Sequence, residues 1–174
     1  MDISKCVMAI REVLMIGNPV LRKKSATAKK GKELEGIVRD LRDTLIHLQK
    51  TKRIGRALAA PQIGYLRKVV YFNLPGRSFA MVNPDIIWES KELFSVWDSC
   101  FSFDVAFFVK VKRHRQVRIE YEDIEGISCV EDFRDDMSEL TQHEIDHLHG
   151  ILATDHLRDP KKIIMREEWE KRYR

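Results

Sequence analysis

The chain has 174 residues, 44% hydrophobic and 33% charged, which describes an ordinary globular protein large enough to bury a core, not a disordered or membrane-embedded chain. Its 31 Lys and Arg against 27 Asp and Glu leave a net charge of +4, too even a balance to indicate a sequence-specific nucleic-acid partner. Three cysteines (Cys6, Cys100 and Cys129) are too few, and odd in number, for a disulfide framework, which implies a reducing compartment.

No apolar run reaches membrane-spanning length, and the opening MDISKCVMAIREVLMIG lacks the apolar core of a secretory signal. We therefore expect a cytoplasmic protein with no membrane partner, forming a single domain over residues 1–174. Met8 would itself serve as a start, making residues 1–7 an extension. Leu14 and Met15 read as core residues, and Asn18-Pro19 marks an early turn. Leu34, Ile37, Val38, Leu41, Leu45 and Leu48 recur at helical spacing and predict a helix near 32–50. Residues 55–64 (GRALAAPQIG) read as a loop of small residues. Strands are expected at 68–73, 79–83 and 85–89, the last two broken at Asn83-Pro84. Val117, Ile119 and Tyr121 alternate as in a half-buried strand, and Glu125-Gly126 turns the chain back through 127–133. Asp135 or Asp136 can cap a helix running to about His149, with Gly150 at its stop. Asp159-Pro160 predicts the start of a last helix to the C-terminus. The pattern gives an α+β fold: antiparallel strands packed around a central helix, with a C-terminal helix.

That central helix carries His143-Glu144-Ile145-Asp146-His147. Residues four apart on a helix share one face, so the two imidazoles can grip one metal ion. Glu144 beside them can reach a water on that ion without binding the ion directly. Two histidines leave a catalytic site incomplete, since three protein ligands and one open position are usual. Downstream, His149 points off the shared face and His156 falls past the helix, so both read as surface or packing residues. Upstream, Cys100 lies in Trp97-Asp98-Ser99-Cys100-Phe101-Ser102, where a cysteine taken alone is usually a small buried hydrophobe.

Three segments in order change that reading. Gly55-Arg-Ala-Leu-Ala-Ala-Pro-Gln62, Asp98-Ser-Cys-Phe-Ser102 and Gln142-His-Glu-Ile-Asp-His147 resemble the three motifs of peptide deformylases, G-x-G-x-A-A-P-Q, E-G-C-x-S and Q-H-E-x-D-H. The likeness runs from Met8 through nearly the whole chain, including Met81-Val-Asn-Pro84 and His147–Leu157. It implies a hydrolase that removes the N-formyl group from the formyl-methionine of nascent polypeptides. It also implies one divalent metal ion per chain, held by Cys100, His143 and His147. Fe(II) is the expected metal, and Zn, Ni or Co are able to substitute. Glu144 would move protons, and the Gln62 amide and the backbone N–H of Phe101 would donate to the developing oxyanion. Gly55, Arg56, Ala57, Leu58, Asp98 and Ser99 would bind substrate along the cleft.

The chain departs from the family pattern in the cleft. Ala57 replaces the second glycine of the first motif, with Arg56 before it. Asp98 and Ser99 replace Glu and Gly, and Phe101 stands where Leu is common. Asp98, being shorter than Glu, would weaken an ion pair with Arg113, and the changes together predict a shifted substrate preference or rate. Six basic residues in 160–174 (Lys161, Lys162, Arg166, Lys171, Arg172 and Arg174) make that segment a candidate ribosome contact. The competing readings are an H-E-x-x-H zinc peptidase, which would not need Cys100, and a formyl-peptide binder, which would not need Glu144.

Overall fold

The computed structural model describes residues 9–173; Arg174, Met8 and the expected extension at 1–7, Cys6 included, lie outside the described residues. The first regular helix, α1 (Lys32–Lys52), turns Leu34, Ile37, Leu41 and Leu45 inward along one stripe. Its acidic Glu33 and Glu35 sit in the first turn and Lys50 and Lys52 in the last, as the helix dipole favours. The strands are β1 (Ala57–Ala59), β2 (Val69–Leu74), β3 (Arg77–Glu89), β4 (Leu93–Asp98), β5 (Phe107–His114), β6 (Gln116–Glu122), β7 (Ser128–Arg134) and β8 (Ile163–Met165). The central helix α2 spans Asp136–Leu148 and the last helix α3 spans Arg166–Tyr173.

Among the described residues, these strands pair antiparallel in two sheets, five in the order β1-β2-β3-β6-β7 and three in the order β4-β5-β8. Alternation along β2 divides the core. Val69 and Tyr71 join Leu41 and Leu45 of α1 on one face, and Val70 and Phe72 join Leu140, Ile145 and Leu148 of α2 on the other. Each such fully buried side chain stabilises the fold by about 1.5–3 kcal/mol. A third cluster (Leu21, Cys100, Phe103, Val109, Val111 and Leu152) lies under the small sheet. Helix α2 is thus clamped between the two sheets, with the cysteine loop at its side.

Several expectations from the sequence are corrected. The strands expected at 79–83 and 85–89 are one strand, β3. Asn83 takes φ 52° where the register against β6 shifts, and this bulge accommodates Pro84, which has no N–H to give the ladder. Asn83 is held there by its side chain, which accepts from Ala28 N (2.8 Å) and donates to Ala28 O (3.0 Å). No helix opens at Asp159-Pro160. Lys110 N donates to Lys162 O and β5 recruits Ile163–Met165 as β8, so sheet pairing delays the helix to Arg166. The 55–64 loop contains β1 and a 3₁₀ turn at Ala60–Ile63. Asp135 precedes α2, but its carboxylate pairs with Arg115 instead of capping the helix. Met15 is 44% exposed, not core. Strands β4 and β5 had no counterpart in the sequence reading.

At the end of α2, Gly150 takes φ 74°, and a Cβ there would lie 2.6 Å from the Arg22 carbonyl oxygen. Gly150→Ala is therefore expected to lower unfolding free energy by more than about 1 kcal/mol in a denaturant titration.

Candidate active site

Helix α2 presents His143 and His147 one turn apart, and Gln142 sets the helix against the β5–β6 connection. The Gln142 carbonyl accepts from His114 N (3.0 Å), and its amide donates to His114 O (2.9 Å) and Ser138 O (3.0 Å). Cys100 follows β4 and opens the short 3₁₀ helix Phe101–Phe103. The chain thereby brings Cys100 Sγ to 3.2 Å from His147 Nε2, which is itself 3.2 Å from His143 Nε2. Cys100, His143, His147 and Glu144 are respectively 4%, 5%, 1% and 4% exposed.

This trio fits one ion. Tetrahedral ligands with bonds of about 2.0–2.3 Å lie about 3.3–3.6 Å from one another, close to the spacing seen here. One sulfur and two imidazoles suit a transition-metal cation. Glu144 Oε2, beside the trio, is buried without a hydrogen-bond partner. A polar atom is rarely left so unless something absent completes it. His149 and His156, the alternatives that a peptidase would require, stand apart from the trio; His156 contacts Asp146 at 2.8 Å.

Behind the trio runs a charged network. Arg113 of β5 donates to Asp98 Oδ2 (3.0 Å) and to Asp146 of α2. Asp98 Oδ1 lies 2.8 Å from His143 Nδ1, an ion-pair contact without the alignment of a hydrogen bond. Burial opposes the charge on Asp98, but His143 and then Arg113 outweigh it and lower its carboxyl to about 2. Burial likewise disfavours a charged His143, and Asp98 reverses this and raises it well above the ordinary value. His147 has no such partner. Burial, with His143 adding to it, lowers it to about 3 and keeps it neutral, the state in which an imidazole binds a metal. Burial pushes Glu144 up to about 7 and also raises Glu139.

Cys100 and His143 open on a pocket of about 220 Å³. Of the residues picked from sequence, Gly55, Arg56, Ala57, Gln62, Ser99, Cys100, Phe101, His143 and Glu144 line it. Leu58, Asp98 and His147 do not: Leu58 packs into the α1 cluster, Asp98 turns back to Arg113, and His147 is buried behind Cys100 and His143. Asp98 keeps its contact with Arg113 despite being shorter than Glu. Ala57 is ordinary paired strand opposite Phe72, so its methyl needs no glycine-like backbone. Ser99 Oγ donates to Phe107 O (2.7 Å). Gly55 is required: at φ 100°, a Cβ would lie 2.1 Å from the Phe101 ring. The sequence reading missed Glu139 and Arg166 in the lining. Glu139 lies four residues before His143 on the same face, so helical spacing could have found it. Arg166 reaches the pocket only because β8 pairs with β5, which no local pattern announces.

Three side chains able to hold one ion, two of them lining an open pocket with Glu144 beside them, differ from the closed four-ligand arrangement of a structural metal. The class so defined is a metal-dependent hydrolase on an α+β frame. A family model described as Polypeptide deformylase matches residues 10–163. Peptide deformylase 2 of Clostridium perfringens is 33% identical over 159 residues, covering 90% of this chain and 99% of that protein. Peptide deformylase of Heliobacterium modesticaldum is 35% identical over 149 residues, covering 85% and 94%. Crystal structures of peptide deformylases from Thermotoga maritima and Legionella pneumophila give TM-scores of 0.78 and 0.79 at 26% and 28% identity, covering 86% and 88% of this chain and 99% and 89% of theirs. The chain belongs to the polypeptide deformylase family. Its activity is the metal-dependent removal of the N-formyl group from the formyl-methionine of nascent polypeptides.

Asp98→Asn removes the charge that orients His143. It is expected to weaken divalent-ion binding about 10–100-fold, measured by competition with a chromophoric chelator.

Proposed function

We propose that Cys100, His143 and His147 hold one divalent ion per chain, and that Glu144, Gln62 and the Phe101 backbone N–H carry the chemistry beside it. The observation that carries this is the convergence of one sulfur and two ring nitrogens next to a pocket lined by Glu144, whose Oε2 is buried without a partner. Fe(II) is the working metal in this reading, with Zn, Ni or Co able to replace it, because a thiolate with two imidazoles favours such ions over Mg or Ca. When bound, the ion would polarise the formyl carbonyl and ease ionisation of a water.

Glu144, raised to about 7 by burial, can both accept and release a proton near neutral pH. It takes the proton of the attacking water and passes it to the amine nitrogen as the C–N bond breaks, leaving formate and a free α-amine. Gln62 is oriented by Ala59 N, which donates to its Oε1 (2.9 Å). That bond leaves Nε2, now donating to Cys100 Sγ and Ser102 Oγ (3.3 Å each), as the amide end that can turn to the carbonyl oxygen. The Phe101 N–H opens a 3₁₀ helix and so has no helical carbonyl before it, which leaves it as the second donor. Gly55, Arg56, Ala57 and Ser99 border the peptide.

The same reading treats residues 1–174 as one deformylase-like domain in the cytoplasm, acting on N-formylated nascent peptide. Among the described residues, no helix is long and apolar enough to cross a membrane. The basic C-terminal segment docks on the ribosome, supported by exposed Lys161, Lys162, Lys171 and Arg172. Lys171→Glu with Arg172→Glu leaves β8 and the Trp169 packing intact; it is expected to abolish salt-sensitive cosedimentation with ribosomes.

Glu144→Gln is expected to keep its metal and lose about 10²–10⁴-fold in formate release from a formyl-Met tripeptide. Cys100→Ala is expected to lose both metal and activity, read by elemental analysis. A Cys100→Ala protein that keeps its metal would overturn the ligand set.

A further inference from the structure

Two arginines line the pocket, and they differ in what holds them. Arg56, beside β1, is matched by α2: its guanidinium donates to Asp136 (2.7 Å) and Glu139 (3.4 Å). Arg166 stands on the wall that the small sheet supplies, with Trp97, Ser99 and Phe108. The pairing of β8 with β5 brings it there, and its backbone N–H donates to Ala106 O (2.9 Å).

The Arg166 side chain is fixed at its stem and weakly matched at its end. Nε donates to Val105 O (2.6 Å), and Cζ lies 4.6 Å from the centre of the Phe108 ring, which Trp169 backs by stacking. An arginine has N–H donors on all three nitrogens, so those on Nη1 and Nη2 remain. Glu170 Oε1 stands 3.6 Å from Nη1, beyond hydrogen-bond distance, on a side chain 34% exposed. An ion pair so placed is weak. Asp104 and Glu168, which line the adjoining groove with Arg166, are matched by Lys52 and Lys171, and Glu167 is exposed. A guanidinium anchored in this way is pre-organised for a carboxylate, whose two oxygens fit the Nη1–Nη2 edge with little further loss of freedom.

We propose that Arg166 is a specificity-determining residue for the peptide beyond its formyl-methionine, receiving an acidic side chain on one of the two residues that follow. An extended peptide turns successive side chains to opposite sides, so one of two neighbouring residues can face the small-sheet wall. The preference adds to the requirement for formyl-methionine and does not alter it. The inference rests on the reading of this pocket as the deformylation site, and extends it from the reacting bond to the chain that trails it.

The test uses C-terminally amidated formyl-Met-Glu-Ala and formyl-Met-Ala-Glu, each against its glutamine counterpart, on the metal-loaded wild type, Arg166→Gln and Arg166→Lys. Metal content and melting temperature are measured for each protein. Calorimetric binding of the deformylated peptides gives a second readout independent of turnover. Wild type is expected to favour glutamate over glutamine by about fivefold or more in kcat/KM at one of the two positions, and the preference is expected to shrink as salt is raised. Arg166→Gln keeps a stem over Phe108 but loses the charge, and is expected to bring that ratio to about one. An arginine that only braced the Val105 turn would instead lower both peptides together; an unchanged ratio in Arg166→Gln therefore overturns the proposal. A wild-type ratio of one at both positions does so as well. Arg166→Lys keeps the charge without the fork and is expected to retain only part of the preference. If Arg166→Gln does not fold, an unchanged ratio in Arg166→Lys overturns the proposal in its place. Absence of formate from every peptide with loaded wild type would instead overturn the assignment of the pocket as the reacting site, while the binding ratios would still judge the role of Arg166.

Discussion

The guanidinium of Arg113 holds the two halves of the active site together. It lies between Asp98, two residues before Cys100, and Asp146, one residue before His147. Burial works against its charge, and the two carboxylates outweigh that and raise its pKa above the ordinary value. One cation thus fixes the cysteine loop of the small sheet against the histidine helix. Removing it would leave two carboxylates facing each other without water, which is why such a group is costly to break even where its net contribution to stability is modest.

The trio of Cys100, His143 and His147 inherits its geometry from that clamp. Asp98 also reaches His143 Nδ1, so the residue that anchors the loop also orients the first imidazole. His147 has no comparable partner, and burial, with the neighbouring His143 adding to it, keeps it neutral. Gln62 ties the third segment in by donating to Cys100 Sγ, while its own carbonyl is held by Ala59 N. Each of the three motifs contributes to these links, and those that join one motif to another are far apart in sequence.

Around this centre, the five-stranded sheet acts as a partition. Its alternation gives α1 one face and α2 the other, so α2 can carry a dense polar face towards the small sheet while Leu140, Ile145 and Leu148 secure it from behind. Ser138, Thr141 and Gln142 are buried on that helix and are satisfied by backbone carbonyls, which lets a polar helix sit inside without a penalty for unpaired groups.

The sequence by itself determined the elements whose signal is periodic or chemical: α1 from its apolar stripe, the β6–β7 hairpin from alternation around Glu125-Gly126, and α2 from its histidine spacing and Gly150. It also carried the family likeness, because three motifs in order survive changes at Ala57, Asp98, Ser99 and Phe101. Tertiary structure alone decided the rest. Pro84 reads locally as a break, and only the bulge against β6 lets β3 run through it. Residues 160–165 read as helix, and the free edge of β5 makes Ile163–Met165 strand. The same pairing carries Arg166 to the pocket, and packing turns Leu58 and Asp98 away from it. Periodicity reports which face of an element is apolar, but not which distant element will cover it, and that choice sets the shape of the cleft.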